Sequence, residues 1–203
     1  MIEHHSFNKV KVSAFQVPKG GNDLCGDSFF FLETPQYFIC ALADGLGSGS
    51  LAKDASKAAM NIVEEYHSEE ISDLMERCNT VLKQTRGAVL AIVKFDYAAE
   101  TVSYASVGNI RFMLAPRDEK VVHPLSTLGF LAGKPQKFKI QQFSYHGEAA
   151  FMLYSDGMEI HTQSRNILSR MVSPEDALFY ISQLPVNTAD DATCIVGRVK
   201  PVE

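Results

Sequence analysis

Apolar residues gather in short blocks along most of the chain: Val10–Val17, Phe29–Leu32, Tyr37–Ala43, Ala88–Phe95, Val102–Ser106, Arg111–Leu114, Phe138–Tyr145, Ala150–Tyr154 and Ala192–Val199. Many of these blocks are rich in β-branched and aromatic residues, which predicts strands. Helical spacing of apolar and small residues takes over at Leu51–Tyr66 and Glu69–Lys83. The second stretch opens on Ser68 and two glutamates, a composition that suits a helix N-terminus. A third helix is predicted from Ser173-Pro174-Glu175-Asp176, with Ser as cap, Pro in the first turn and an apolar stripe of Ala177, Leu178, Ile181 and Leu184. Because strands mostly follow strands, antiparallel pairing is expected. The predicted class is α+β, with two antiparallel sheets and helices packed outside them.

Composition narrows this picture. At 203 residues, 46% hydrophobic, with no internal repeat or long linker, residues 1–203 are expected to form one domain burying roughly 70% of its unfolded surface. A net charge of −5 and the lack of any Lys/Arg run argue against nucleic acid or an anionic membrane surface as partner. No apolar run approaches a bilayer span and the first ten residues lack a signal-like apolar region, so a cytoplasmic monomer is the expectation. Cys25, Cys40, Cys78 and Cys194 show no CxxC spacing and are expected to be buried thiols.

The candidate chemistry lies where carboxylates interrupt apolar blocks. Asp44 ends one block and is followed by Gly45-Leu46-Gly47-Ser48-Gly49-Ser50. Glycines there let the backbone approach a ligand or adopt positive φ, which suits either a metal ion or a phosphate. Asp27, in Cys25-Gly26-Asp27-Ser28, opens the preceding strand, and a hairpin around Glu33–Gln36 would bring it beside Asp44. Asp156 repeats the pattern, as an apolar strand, then Asp-Gly, then a helical stretch, and Asp190-Asp191 precede the last strand. Alone, each is ordinary turn chemistry. Converging on one sheet edge, they would repel one another by an amount on the order of several kcal/mol unless cations neutralised them. Oxygen-only donors favour Mg²⁺ or Mn²⁺, and a carboxylate shared by two such ions makes a hydrolytic binuclear site.

The ordered set Gly26-Asp27-Ser28, Ala43-Asp44-Gly45, Ser106-Val107-Gly108-Asn109-Ile110-Arg111, Ser155-Asp156-Gly157 and Asp190-Asp191-Ala192-Thr193 resembles the metal-dependent serine/threonine protein phosphatases of the type 2C (PPM) class, in their compact SpoIIE-like bacterial branch. The resemblance covers nearly the whole chain and implies a four-layer α-β-β-α sandwich. By position it implies that Asp44 bridges two Mn²⁺ or Mg²⁺ ions, that the Gly45 carbonyl ligates one of them, and that Asp156 and Asp190 hold the second. Asp27 would orient a metal-bound water, and Asp191 is a further candidate metal ligand at a position where many relatives have Asn. The catalytic set is then Asp27, Asp44, Asp156 and Asp190. The short length, the stretch Asp44–Ala52 and Gly133-Lys134-Pro135-Gln136-Lys137 look most like stressosome phosphatases. That implies phosphorylated STAS-domain proteins as substrates and negative feedback on the sigma-B stress response.

Three positions depart from the family pattern. Leu46 replaces a histidine assigned as leaving-group acid in larger relatives, so a slower enzyme is expected, since general acids contribute about 10²–10⁴-fold. Asn22 replaces the phosphate-binding arginine. Asn109 and Ile160 replace carboxylates of a third metal site, which is expected to be absent or very weak. His123, His146 and His161 are other candidate acids, and the loop from Leu125 to Gln136 is either substrate-facing or a plain connection. Two other functions use the same residues: a nucleotide-binding protein cradling phosphate in the Gly45–Gly49 loop, and a non-catalytic phosphoprotein-binding module.

Overall fold

The computed structural model describes residues 1–160 and 165–201. Its strands are β1 (Ile2–Ser6), β2 (Val10–Val17), β3 (Asp27–Glu33), β4 (Tyr37–Gly45), β5 (Ala88–Asp96), β6 (Thr101–Val107), β7 (Arg111–Pro116), β8 (Gln141–Ser144), β9 (Ala149–Tyr154) and β10 (Ala192–Val199). The helices are α1 (Ser50–Tyr66), α2 (Ile71–Val81), α3 (Arg165–Ser169) and α4 (Pro174–Ser182). Two five-stranded sheets form, one in the order β1-β2-β10-β9-β7 and the other β3-β4-β5-β6-β8. Every strand ladder is antiparallel, which removes the parallel βαβ unit that a dinucleotide-type glycine loop would need.

Strand β4 explains the layering. Its alternate residues Phe38, Cys40 and Leu42 enter the core between the sheets, among Val12, Phe95, Phe151 and Ile195. Ile39, Ala41 and Ala43 face the other way, against Ala55, Ala59 and Val63 of α1 and Leu74, Met75 and Cys78 of α2. With both faces covered, the strand reads as a continuous apolar run. The first sheet repeats the arrangement: Met113, Met152, Cys194 and Val196 pack against Leu168, Ala177, Leu178 and Ile181 of α3 and α4. The result is the expected α-β-β-α sandwich. All four cysteines are buried and free. Among the described residues no helix is long and apolar enough to cross a membrane.

Several elements differ from the sequence expectation. Strand β1 was not anticipated: its Ile-Glu-His-His-Ser is mostly exposed and carries no apolar period, yet it pairs along β2 with His4 opposite Ser13. The strand expected at Phe138–Tyr145 shrinks to the four residues of β8, at the edge of its sheet. Helix α2 starts at Ile71 with Glu70 in the extended cap position, so Ser68 is not its cap, and its end tightens into a 3₁₀ turn at Leu82–Gln84. Ser173 does cap α4, its hydroxyl accepting the Asp176 N–H at 3.1 Å. No helix follows Asp156-Gly157 directly; Met158 instead bridges to Val186, and the next described helix is α3.

Candidate metal centre

The two sheets meet at one end through buried polar groups. Asp27 and Asp44 are direct cross-strand partners on β3 and β4, and Tyr154, two residues before Asp156, pairs with Cys194 just inside β10. Ser155 joins the two pairs. Its hydroxyl donates to Asp27 Oδ2 at 2.8 Å and accepts the Thr193 N–H at 2.9 Å. Gln16 donates to Thr193 Oγ1 at 3.1 Å and approaches the Asp27 carbonyl at 3.5 Å, and Lys53 of α1 donates to that same carbonyl at 2.7 Å. Asp27 is fully buried. Its Oδ1 is, among the described residues, the one buried side-chain oxygen or nitrogen without a hydrogen-bond partner.

Glycines let the elements close around these groups. A Cβ on Gly45 would run into the Ala52 carbonyl, so the first turn of α1 packs directly on the end of β4. A Cβ on Gly157 would strike the Asp191 carbonyl in the same way. Asp156 is exposed, and its Oδ2 accepts from Asn109 Nδ2 at 2.6 Å. Asp190 is half-buried, with Oδ1 accepting the Asp191 N–H at 2.9 Å.

Asp191, the further candidate ligand, also holds backbone. It is buried, and its two oxygens accept the backbone N–H groups of Lys19 and Gly26, each at 2.8 Å. Those bonds clamp the β2–β3 connection onto the start of β10. Asp191 is thus a fastener of this loop.

The carboxylates feel one another. Burial raises the pKa of Asp27, and the Asp191 and Asp190 charges add to it against the nearby hydroxyls of Thr193 and Ser155. Asp44 is raised by burial, then by Asp27, Asp156, Asp190 and Asp191. Asp156 is raised by burial and Asp190 and eased by Arg111, at the start of β7. This all-oxygen set, with an unsatisfied buried carboxylate oxygen, fits a hard divalent cation. Among the described residues no three His, Cys, Asp or Glu side chains close on one point.

His146 lies 3.8 Å from Glu100 at the other end of its sheet, where Tyr145 N–H meets the Glu100 carbonyl. His123 follows Val122, which bridges to Leu114 in the middle of β7, and His161 lies outside the described residues. Sequence reasoning assigned no role to Ser155, Thr193, Gln16 or the Asn109 amide. The available signal was that Ser155 and Thr193 are polar residues at the ends of otherwise apolar blocks.

Residues 34–200 match the family model described as Stage II sporulation protein E (SpoIIE). The chain is 36% identical over 199 residues to phosphoserine phosphatase RsbX of Bacillus subtilis (strain 168), covering 98% of this chain and 100% of that protein. A crystal structure of RsbX in complex with magnesium superposes with a TM-score of 0.92 at 36% identity, covering 98% of this chain and all of that one. A structure described under the bacterial stressosome, as a modular system adapted to control secondary messenger signalling, gives a TM-score of 0.86 at 26% identity, covering 94% of this chain and 100% of that one. The sandwich, the ordered carboxylates and these likenesses agree: the chain belongs to the SpoIIE-like branch of the type 2C (PPM) protein phosphatase family.

Proposed function

We propose that the protein is a metal-dependent phosphatase of phosphoserine and phosphothreonine in proteins, acting on phosphorylated STAS-domain proteins of the stressosome and thereby a negative feedback regulator of the sigma-B response. The observation that carries the chemistry is the buried Asp27 Oδ1 without a partner, amid carboxylates brought together from four strand ends. The substrate class rests on the likeness to a phosphoserine phosphatase and to a stressosome structure.

Asp44 would serve both ions, the Gly45 carbonyl one of them, and Asp156 and Asp190 the second, with Asp156 steadied by the Asn109 amide. Two divalent cations, Mg²⁺ or Mn²⁺, supply when bound a water nucleophile of lowered pKa and positive charge for the phosphoryl oxygens. Asp27 keeps Oδ2 on Ser155 and offers Oδ1 to orient a water. Asp191 and Ser155 hold the surrounding backbone and do not meet substrate. Leu46 has no proton to give, so a leaving oxygen must be protonated without a positioned side chain at that place, at a cost of about 10²–10⁴-fold in rate.

Hydrolysis of p-nitrophenyl phosphate is the simplest check. It is expected with Mn²⁺, absent with EDTA, and lost in Asp44→Ala and Asp156→Ala at unchanged circular dichroism. Turnover that ignores EDTA contradicts the proposal, and phosphoprotein binding without turnover favours a binding module.

A further inference from the structure

Arg86 stands between the 3₁₀ turn at Leu82–Gln84 and β5, one residue before Gly87, whose carbonyl accepts the Leu46 N–H at 2.9 Å. That bond fastens the Arg86 loop to the loop that follows Asp44. Gly47 has φ +99°, and a Cβ there would lie 2.7 Å from Arg86 Nη1. The guanidinium therefore rests on the bare face of Gly47, three residues from Asp44. Any larger residue would displace it.

Arg86 is exposed and, among the described residues, has no hydrogen bond or ion pair. An arginine beside a carboxylate-rich edge ordinarily pairs with one of the acids. Two neighbouring cations are engaged: Lys53 with the Asp27 carbonyl at 2.7 Å, and Arg111 electrostatically with Asp156. A substrate phosphate is a dianion that must enter among several carboxylates, and a planar guanidinium matches two of its oxygens at once.

We infer that Arg86 binds the substrate phosphate, its guanidinium donating two hydrogen bonds to non-bridging phosphoryl oxygens while Gly47 provides its seat. The inference rests on the phosphatase reading and supplies the cation that Asn22 does not. A purely structural Arg86, propping the glycine loop, would affect folding and metal affinity instead.

The test compares Arg86→Ala, Arg86→Lys and Arg111→Ala in the Mn²⁺-loaded full chain. KM and kcat are measured for a phosphoserine peptide, the affinity for inorganic phosphate by titration calorimetry, and the Mn²⁺ affinity and melting temperature alongside. Arg86→Ala is expected to weaken KM and phosphate affinity by about tenfold or more, the scale of a lost charge-assisted bidentate contact, with metal affinity and melting temperature unchanged. Arg86→Lys is expected to recover part of the loss. Unchanged phosphate affinity in Arg86→Ala, with or without a lower melting temperature, overturns the inference, as does a loss seen in Arg111→Ala alone. Metal-dependent turnover that is lost in Asp44→Ala but indifferent to Arg86 defeats this inference only. Turnover that survives in Asp44→Ala defeats the phosphatase reading itself.

Discussion

At Asp27 one carboxylate oxygen is satisfied by Ser155 and the other is bare, in a fully buried setting. Removing the Ser155 hydroxyl orphans the second oxygen too, and leaves the Thr193 N–H without its acceptor. Ser155→Ala is expected to cost about 1–3 kcal/mol in denaturant unfolding. It should also weaken Mn²⁺ binding by about 10–100-fold, as loss of a ligand-orienting group does. The acidic cluster also makes stability depend on pH. Burial, with the neighbouring carboxylates, pushes Asp27 up from 3.8 to about 7 and Asp44 from 3.8 to about 8. A carboxyl group raised in the fold favours the fold while it holds its proton. The contribution of these two is therefore complete below about pH 4 and is lost as pH rises towards about 8. In EDTA, Asp44→Asn is expected to flatten the fall in melting temperature between about pH 5 and 8. At pH 8 it should melt higher than the parent, by roughly 2–4 °C per kcal/mol of repulsion removed in a chain of this size. Added Mn²⁺ should stabilise the parent and not the variant; a variant that melts lower than the parent in EDTA would contradict the repulsion.

Among the elements, the contact of β4 with α1 controls the site. Gly45→Ala forces the Ala52 carbonyl away and is expected to destabilise by about 1–3 kcal/mol, the usual cost of overpacking, with reduced metal affinity. Ser173→Ala, which removes the α4 cap far from the carboxylates, should cost about 1 kcal/mol and leave phosphatase activity intact. Elements buried on two faces were legible in sequence: β4 and β5 are largely apolar runs because both sides are covered. Strand β1 was not, since an edge strand with exposed side chains leaves no periodic trace. The acidic positions were legible because each breaks an apolar block. Their partners were not: Ser155 meets Asp27 across 128 residues of sequence, and Asp191 spends both oxygens on backbone donors of another loop. No local pattern encodes such pairings, and a short polar segment reads as turn chemistry until the sheets are assembled.

For the molecule as a whole, the site exists only when both sheets are in place, because Asp27 and Asp44 come from one and Asp156 and Asp190 from connections of the other. We therefore expect residues 1–203 to unfold as one cooperative unit whose unfolding free energy rises with Mn²⁺, by about 2.7 kcal/mol at a hundredfold excess over Kd. Two separate transitions, with Mn²⁺ moving only one, would contradict that. Release of phosphate from a purified phosphoserine-bearing STAS-domain protein, followed as Mn²⁺ is titrated, is the most direct test. Turnover should rise with Mn²⁺, vanish in EDTA and be abolished in Asp44→Ala. Retention of phosphate on the STAS-domain protein at saturating Mn²⁺, or release undiminished by Asp44→Ala, would contradict it.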